Sequence, residues 1–474
     1  MATGEIHAKL DRVLAKKIAG FRELRSVERL SGGASQETYR IVIGTGAGEK
    51  RLALRRTPGG LHIESAPGHP GPAAEALLMQ CARAAGVPEP EVYYVLTPDD
   101  ELGDGFIMEW LEGEALGARI VRADQFAGVR SGLARECGRV MARIHGIDLQ
   151  STGLDKHLAV VSPYDFINTT WDNYKSLDTP QPMIDYTARW LLDHLPTQFE
   201  PALVHNDFRN GNFMIDQHGM VAVLDWELAH IGDPMRDLGW ICVNSWRFGG
   251  DKPVGGFGSY EELFAGYEEE SGRKVDPQHV RFWEVFGSFW WSVGCLSMAE
   301  HYRNGPDKTV ERPAIGRRTS ECQVDCVNLL IPGDVTLVSP FDTHQQVDMP
   351  RADELVASVR DFLRADVMAA TEARINFMAR VAGNSLDIVL REMELGGQHK
   401  RAELERLRAI YGATDNYSAT DSLASLKWRL VNALRDGSQP LEDDALKHHL
   451  RQTVVNQIAI DQPKYSGFKT ATSS

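Results

Sequence analysis

The chain contains 474 residues, of which 43% are hydrophobic, so it is long enough and apolar enough to form two or three domains. Its formal net charge of −15 argues against a nucleic-acid partner held by phosphate contacts and against anionic membrane surfaces, because both require a basic face. Residues 1–21 carry charges throughout, unlike a secretory signal, and the most apolar later run, 287–300, is too short to span a bilayer, so we expect a cytoplasmic protein without a membrane partner.

Residues 26–112 are predicted to form mostly β-strands, because runs rich in β-branched and aromatic residues are separated by glycine or proline. The runs are SVERLSGG, SQETYRIVIGT, KRLALRRT, EVYYVLTP and GFIMEWLEG. Between them, residues 72–87 have the apolar spacing of a helix and no internal breaker. The pattern predicts an antiparallel meander that one helix interrupts.

Helical patterns dominate from about residue 125 onward, as in residues 133–147, 183–196 and 278–302. The exception is residues 203–234, which contain the hairpin pattern NFMID-QHG-MVAVLD. A small antiparallel β-lobe followed by a larger α-helical lobe is an α+β architecture with a cleft between the lobes.

Residues 333–352 mix turn residues without a helical period and are predicted to be a linker. Five helices are predicted beyond it, among them DELVASVRDFLRADV, TEARINFMARVAGNSLDIVLREMEL and SLASLKWRLVNALRD. The predicted domains are therefore a β-rich lobe (1–112), a helical lobe (113–332), the linker (333–352) and an all-α C-terminal domain (353–474).

The stretch LVHNDFRNGNFMIDQHGMVAVLDWELAHIGDP, residues 203–234, concentrates oxygen-bearing side chains. Asp207 is followed five residues later by Asn212, and the predicted hairpin then leads to Asp225. A phosphoryl-transfer site requires one carboxylate to orient or deprotonate the attacking hydroxyl, and an amide with a second carboxylate to hold magnesium. Each residue alone is also typical of a turn, but all three at this spacing favour the catalytic interpretation.

This stretch resembles the catalytic segment of the aminoglycoside phosphotransferase and choline kinase type of kinases. The family pattern is His-Gly-Asp, four residues and Asn, then a hydrophobic strand that ends in a metal-binding Asp; here it reads HNDFRNGN followed by AVLDWELAHIGDPMRDLGW. The second segment, LSGGASQETYR and RRTSECQVD are similar to the branch related to the kinase-like domain fused to some acyl-CoA dehydrogenases. The resemblance covers approximately residues 20–330 and implies a bilobal protein-kinase-like fold.

The resemblance implies roles for the acidic and amide side chains. Asp207 would be the catalytic base or hydroxyl-orienting residue, and Asn212 and Asp225 would be magnesium ligands. Glu227 is a candidate for a second metal contact, with a structural role as the alternative. Arg209, two residues after Asp207, is placed to neutralise the transferred phosphoryl group or to contact an anionic acceptor.

The supporting residues of the loop would be His205, through a ring hydrogen bond, and Asp237, which would accept hydrogen bonds that brace the loop. Asn206 departs from the family glycine, so either its backbone adopts a conformation that asparagine tolerates better than most residues, or its amide serves the loop. Tryptophans are candidates for lining the acceptor site, with core packing as the alternative for each. They are Trp171, Trp240, Trp246, Trp290 and Trp291.

On the nucleotide side, protein kinases pair a lysine of the third strand with a helix glutamate. The aligned residue here is Arg55, and its partner would be Glu75. An arginine fork can grip a phosphate and a carboxylate together. Arg56 competes with Arg55, because neighbours on a strand point to opposite faces and only one can face the cleft.

Two further segments are candidates for nucleotide binding. Small residues between two predicted strands would let backbone N–H groups approach phosphates, and they are Gly32, Gly33, Ala34 and Ser35. The segment GFIMEWLEGEAL resembles the connection between kinase lobes, where adenine bonds to backbone groups, and its lining residues would be Met108, Glu109 and Leu111. Because backbone groups contact the base, ATP and GTP both stay open.

These features predict a magnesium- and ATP-dependent kinase whose acceptor is a small-molecule hydroxyl, with a hydroxyacyl-CoA or another catabolic alcohol suggested by the similar branch. One alternative is an aminoglycoside-type antibiotic kinase, whose cationic acceptor would suit the acidic N-terminal part. Another is a non-catalytic nucleotide-binding protein, which the presence of the complete residue set disfavours. The C-terminal helices are candidates for shaping the acceptor pocket or forming a homodimer.

Overall fold

The computed structural model describes residues 3–30, 36–62, 70–341, 348–412 and 421–473. They belong to two compact units, one made of residues 1–163 and 196–283 and the other of residues 164–195 and 284–474. Both units contain chain segments that are distant in sequence, so their limits differ from the four predicted domain ranges. Those ranges stay predictions.

The described strands are β1 Phe21–Arg29, β2 Glu37–Thr45, β3 Gly48–Arg56, β4 Val92–Val95, β5 Gly105–Glu109, β6 Ala202–Val204, β7 Phe213–Ile215, β8 Met220–Val223 and β9 His230–Gly232. The described α-helices are α1 Thr3–Lys17, α2 Gly71–Ala84, α3 Gly117–Arg122, α4 Ala127–His145, α5 Leu149–Thr152, α6 Pro163–Lys175, α7 Pro182–Asp193, α8 Met235–Cys242, α9 Tyr260–Ser271, α10 Pro277–Asn304, α11 Glu311–Arg317, α12 Thr319–Leu330, α13 Ala352–Phe362, α14 Met368–Ala370, α15 Ala373–Tyr411, α16 Leu423–Arg435, α17 Asp444–Asp461 and α18 Ser466–Thr472. An antiparallel N-terminal sheet and a mostly helical remainder confirm the predicted fold class.

The N-terminal sheet has the order β1-β2-β3-β5-β4, with antiparallel neighbours throughout. The expected meander is therefore wrong in one respect, because β5 lies between β3 and β4. The burial of the two strands explains the order: Phe106 and Ile107 of β5 are fully buried, whereas all four residues of β4 are half-buried. A short strand with partly exposed faces suits the sheet edge.

Helix α1 covers one face of this sheet with a stripe of apolar residues. Its Leu10 and Leu14 share a core with Ile41 of β2 and Leu52 of β3. Apolar residues four apart on a helix lie on one face, which explains why the charged N-terminal segment still folds against the sheet. The helix therefore shares its core with β3, the strand that carries Arg55.

Two short sheets follow in the same unit. Strand β7 pairs with β8, which confirms the predicted hairpin, and β6 pairs with β9, a pairing that the sequence did not indicate. The second pair brings residues 202–204 next to residues 230–232. The loop after β6 and the start of α8, which follows β9, are thus neighbours. Together they form part of the candidate active site.

The second unit is helical in its described part, with a core formed by α7, α12 and α15 to α18. Helix α15 continues to Tyr411, well beyond the predicted end, although it contains Gly396 and Gly397. Leu407 and Tyr411 are buried in this core, so their packing offsets the cost of about 1 kcal/mol that each glycine adds to a helix. Within the described ranges, no helix combines the length and apolar character needed to cross a membrane.

Candidate active site

The loop that joins β6 to β7 contains the predicted catalytic residues, and Asp237 of α8 holds its start. The carboxylate of Asp237 accepts the backbone N–H of His205 at 2.8 Å and that of Asn206 at 2.7 Å, and it contacts His145 Nε2 at 3.1 Å. Burial alone would raise the pKa of Asp237, but the hydrogen bond and charge of His145, together with His205, lower it. The sequence-predicted brace is in place as a buried, ionised carboxylate.

Asn206 combines both explanations that the sequence left open. Its φ of 68° is in the left-handed region that glycine usually occupies and that asparagine tolerates. Its side-chain Oδ1 also accepts a hydrogen bond from Arg236 Nε at 3.0 Å. Arg236 is fully buried, and burial lowers its pKa to about 9.

His205 connects the loop to the strand that leads to Asp225. Its Nε2 lies 3.0 Å from the carbonyl oxygen of Leu224, and its Nδ1 lies 3.3 Å from the backbone N–H of Asp207. These partners assign the proton to Nε2, with Nδ1 as an acceptor. Burial lowers the pKa of His205, which suits a neutral ring that positions two segments of backbone.

Both carboxylate oxygens of Asp207 are hydrogen-bonded. Oδ1 accepts from Arg209 Nε at 2.9 Å and from Trp240 Nε1 at 2.7 Å. Oδ2 accepts from Asn212 Nδ2 at 2.5 Å and from Arg209 Nη2 at 3.3 Å. These bonds fix the direction of the carboxylate and leave it an acceptor, the form required to receive a hydroxyl hydrogen bond.

Arg209 lies between Asp207 and the indole ring of Trp246, whose centroid is 4.2 Å from the guanidinium carbon. The neighbouring Asn210 anchors this part of the loop, because its Nδ2 donates to the carbonyl oxygens of Trp246 at 3.0 Å and Gly255 at 2.6 Å. Asn210 is fully buried and was missed by the sequence analysis. Arg209, the predicted cation, is thus held beside Asp207, the predicted base.

Asn212 and Asp225 are brought together by the β7–β8 hairpin. The backbone N–H of Leu224 donates to the carbonyl oxygen of Asn212 at 2.7 Å, which places Asp225 directly after this link. The amide of Asn212 donates through Nδ2 to Asp207, so its Oδ1 is the atom left to serve as a ligand. Asp225 has a φ of 70° at the start of a short 3-10 turn.

One amide oxygen and one partly exposed carboxylate fit magnesium, which proteins commonly hold with few side-chain oxygens plus phosphate and water. Among the described residues, no group of three His, Cys, Asp or Glu side chains is arranged to hold a metal ion. Glu227 lies in the turn Trp226–Leu228. Burial would lower the pKa of Arg55, but the charges of Glu75 and Asp225, with a smaller contribution from Glu227, raise it. The donor set is therefore of the kind that completes its coordination with a nucleotide.

Arg55 faces Asp225, and Arg56 does not. Arg55 Nη2 contacts the carboxylates of both Asp225 and Glu75, the latter at 3.2 Å. Arg56 is buried on the other face of β3, where its guanidinium binds Glu37 Oε2 at 2.9 Å. The structure therefore pairs Arg55 with Glu75, as the kinase pattern implies.

Gln36 is a nucleotide-side residue that the sequence analysis missed. Its Oε1 accepts from Arg55 Nε at 2.6 Å, and its Nε2 donates to Glu75 Oε2 at 2.9 Å, so it bridges the ion pair. Burial raises the pKa of Glu75 and the charge of Arg55 opposes that effect. Only its position directly after the glycine-containing segment could have indicated Gln36.

The remaining predicted positions have varied outcomes. The loop residues Gly32, Gly33, Ala34 and Ser35 lie outside the described residues. Met108 and Glu109 end β5 and Leu111 follows it, so these three stay candidates for the adenine site. Of the tryptophans, Trp240 and Trp246 contact Asp207 and Arg209, whereas Trp171 is buried and donates to Asp185 at 2.8 Å.

Parts of the chain are similar to known protein families and to characterised proteins. Residues 26–282, just over half of the chain, match the model of APH, the phosphotransferase enzyme family, and residues 369–465 match a domain of unknown function, DUF6285. Acyl-CoA dehydrogenase family member 10 of Mus musculus is 31% identical over 223 residues, which are 44% of this chain and 20% of that protein. Acyl-CoA dehydrogenase family member 11 of Rattus norvegicus is 27% identical over 248 residues, which are 49% of this chain and 30% of that protein. The chain thus spans less than a third of the length of these curated relatives.

A solved structure is similar to the chain over most of that structure's length. It is a candidate aminoglycoside phosphotransferase from Ralstonia eutropha JMP134, with a TM-score of 0.54 and 23% identity over 67% of this chain and 95% of that one. At this identity the similarity shows the fold, which confirms the predicted phosphotransferase fold and leaves the acceptor open.

Proposed function

The chain belongs to the phosphotransferase enzyme family, and from that premise we propose that it is an ATP- and Mg²⁺-dependent kinase that phosphorylates a hydroxyl group of a small organic molecule. The observation that carries the proposal is that Asp207 contacts Asn212 and Arg55 contacts Asp225, while a backbone hydrogen bond from Leu224 to Asn212 links the two pairs. Catalysis of phosphoryl transfer consists mostly of positioning and charge stabilisation, which are the two functions that such a set can perform.

Each residue would perform a defined part of the reaction. Asp207 accepts the hydrogen bond of the acceptor hydroxyl and orients its oxygen, and Arg209 neutralises charge on the transferred group. Asn212 Oδ1 and Asp225 hold magnesium, and Arg55 holds phosphate oxygens while Glu75 and Gln36 orient its fork. When bound, magnesium–ATP supplies the phosphoryl group and neutralises the charge that develops on it.

The contacts of Arg55 and Arg209 in the structure are consistent with this assignment. Both guanidinium groups lie against carboxylates of the site, Asp225 and Asp207 respectively. A phosphate group would offer each of them a second anionic partner, and a planar guanidinium can bind two oxygens at once. The site is therefore arranged to receive anionic oxygen between its two arginines and its metal ligands.

For the acceptor, we propose a hydroxyacyl-CoA or a related catabolic alcohol, because the curated relatives are acyl-CoA dehydrogenase family members. Phosphorylation turns a hydroxyl, which leaves poorly, into a phosphate, which leaves well. In the transfer, the hydroxyl oxygen bonds to the γ-phosphorus, the bond from that phosphorus to the β,γ-bridging oxygen breaks and ADP leaves, and the hydroxyl proton passes through Asp207 to solvent. We further propose that the enzyme acts in the cytoplasm.

The test is a phosphate-transfer screen with magnesium–ATP over hydroxyacyl-CoA esters, free alcohols and aminoglycosides of the kanamycin type. Asp207→Asn should lower turnover by about 10²- to 10⁴-fold, the usual contribution of general base catalysis, and leave ATP binding intact. Asp225→Ala should lower turnover too and, unlike Asp207→Asn, should weaken magnesium–nucleotide binding. The matched control is Asp216→Asn, in the exposed turn of the β7–β8 hairpin, which should have wild-type turnover.

Three results would count against parts of the proposal. Near-normal turnover by Asp207→Asn would refute the mechanism. Saturable activity on aminoglycosides alone would refute the acceptor and leave the mechanism standing. Binding of magnesium–ATP without turnover on any acceptor, with no cellular effect of Asp207→Ala, would favour a non-catalytic nucleotide-binding protein.

A further inference from the structure

The second compact unit contains a cavity of about 490 Å³. Its lining residues come from several helices, among them Met183 of α7, Gln323 of α12, His399 of α15, Lys427 of α16 and His449 of α17. Cavities that bind small molecules usually measure about 300–1,000 Å³. Three of those residues, His399, Lys427 and His449, lie in the region that matches the domain of unknown function. A ligand in the cavity would therefore contact that region.

Two buried histidines among the lining residues have ring nitrogens without a hydrogen-bond partner in the described part of the chain. His449 is 1% exposed, and neither of its ring nitrogens has a hydrogen-bond partner among the described residues. His399 is 3% exposed, and within the same ranges its Nδ1 also has none. Buried polar atoms nearly always have partners in proteins, so three such atoms around one cavity indicate a missing polar group.

Both histidines are neutral at physiological pH. Burial lowers the pKa of His449 to about 3, and the positive charges of Arg406 and Lys427 act in the same direction. Burial also lowers the pKa of His399, although Glu403 opposes this. A neutral imidazole has one N–H donor and one acceptor nitrogen, so each ring can direct an N–H toward an anionic oxygen.

The described residues that line the cavity include three cationic side chains, Arg303, Arg317 and Lys427, and one acidic side chain, Asp461. The ammonium of Lys427 forms an ion pair with Glu403 Oε1 at 3.1 Å, although this oxygen has no hydrogen-bond partner among the described residues. Arg317 Nε contacts Asp461 Oδ1 at 3.0 Å, so the acidic group among the described lining residues already has a cationic partner. The excess of positive charge along the lining therefore favours a ligand that carries a negative charge.

Helix α17 supplies one long wall. The residues from His449 to Asp461 span about 18 Å at a rise of about 1.5 Å per residue, so the wall is longer than a carboxylate or a phosphate alone. Leu450 and Val454 lie on it between the two polar ends, and Met183 and Leu296 line the cavity from other helices. An apolar chain attached to the anionic group would cover these side chains.

We propose that this cavity is a binding site for a small organic carboxylate with an apolar chain, whose carboxylate oxygens accept hydrogen bonds from His449, His399 and Lys427. The apolar chain lies along Leu450 and Val454. The site is separate from the kinase proposal, because it uses none of the residues assigned to phosphoryl transfer. A second, non-catalytic ligand site would give the DUF6285 region a function of its own.

The experiment is calorimetric titration of the full-length protein with three probes: sodium octanoate, 1-octanol and inorganic phosphate. Octanoate has both the charge and the chain, octanol has the chain alone, and phosphate has the charge alone. We expect saturable binding of octanoate that is at least about tenfold tighter than binding of either other probe, since each lacks one group of contacts. Binding should persist in Asp207→Asn, which separates this site from the kinase mechanism.

His449→Phe removes both ring nitrogens and keeps a planar ring. It should weaken octanoate binding at least about tenfold, leave octanol binding no weaker than in the wild type, and leave the unfolding temperature unchanged or higher, because two unpaired buried polar atoms disappear. The matched control is His448→Phe, an exposed neighbour on the same helix, which should bind octanoate like the wild type. His399→Phe repeats the test if His449→Phe does not fold.

Four outcomes would overturn the proposal. If the wild type binds none of the probes, the cavity holds water only. If phosphate binds as tightly as octanoate, the apolar wall has no part in recognition. Unchanged octanoate binding in both His449→Phe and His399→Phe would exclude the imidazoles as its partners. A large drop in the unfolding temperature of His449→Phe, without ligand, would assign the ring a structural function.

Discussion

Asp237→Asn is the substitution whose effect can be worked out most fully from the structure. The carboxylate accepts two backbone N–H groups, from His205 and Asn206, and it contacts His145, all without exposure to solvent. An asparagine amide has only one oxygen, so its NH₂ group must face one of the two backbone N–H groups. The variant loses a hydrogen bond to a charged group, worth about 1.5–3 kcal/mol, and leaves a buried donor unsatisfied, which costs about 1–3 kcal/mol.

The sum is about 2.5–6 kcal/mol, which includes the range of about 3–5 kcal/mol seen when a buried charge pair loses one partner. For a unit of roughly this size, 1 kcal/mol shifts the unfolding temperature by about 2–4 °C, so Asp237→Asn should unfold about 5–24 °C lower than the wild type. Differential scanning calorimetry measures the shift. Turnover at 25 °C should also fall, because the two amides that Asp237 holds begin the catalytic loop.

Asp216→Asn is the matched control, because Asp216 also accepts two backbone N–H groups, those of His218 at 2.6 Å and Gly219 at 3.2 Å. They lie in an exposed hairpin turn where asparagine serves equally well, so the change should be below about 1 kcal/mol. Equal shifts for the two variants would refute the reasoning, since burial of the carboxylate would then be irrelevant.

The same carboxylate predicts a pH dependence. Burial would raise the pKa of Asp237, but His145 and His205 lower it, so the folded pKa is below the unfolded value of about 3.9. A carboxylate with a lowered pKa stabilises the fold above the unfolded pKa and loses that contribution as pH falls through the folded pKa. The stability difference between the wild type and Asp237→Asn should therefore be constant from pH 7 to about pH 5 and shrink below about pH 4 in acid titrations followed by circular dichroism.

Three further predictions concern the site. Arg55→Lys replaces a fork by a single ammonium, so KM for ATP should rise about tenfold in steady-state assays, whereas an unchanged KM would exclude Arg55 from nucleotide binding. Trp240→Phe removes the 2.7 Å hydrogen bond to Asp207 and should lower kcat about tenfold with KM for ATP unchanged; a loss confined to KM would contradict an orienting role. Asn206→Gly should lose about 1–2 kcal/mol in urea unfolding, for the bond to Arg236, and Asn206→Val should lose more, because a β-branched residue is strained at a φ of 68°.

The sequence alone determined the fold class and the main acidic and amide residues of the candidate site. The alternation of apolar residues and glycine or proline indicated the N-terminal strands, and the spacing of Asp207, Asn212 and Asp225 indicated phosphoryl transfer. These signals are local: the loop and the hairpin supply all three residues within nineteen positions of each other. Local patterns can be read from sequence because turn chemistry and side-chain periodicity depend on neighbouring residues.

Only the tertiary structure decided which other residues complete the site around Asp207, Asn212 and Asp225. Arg55 meets Asp225 across 170 residues of chain, and that contact selects Arg55 over its neighbour Arg56. The bridge from Gln36, the hydrogen bond from Trp240 and the place of β5 in the sheet depend in the same way on segments distant in sequence. Sequence periodicity states which face of an element is buried, but the partner across the interface is set by the packing of the whole chain.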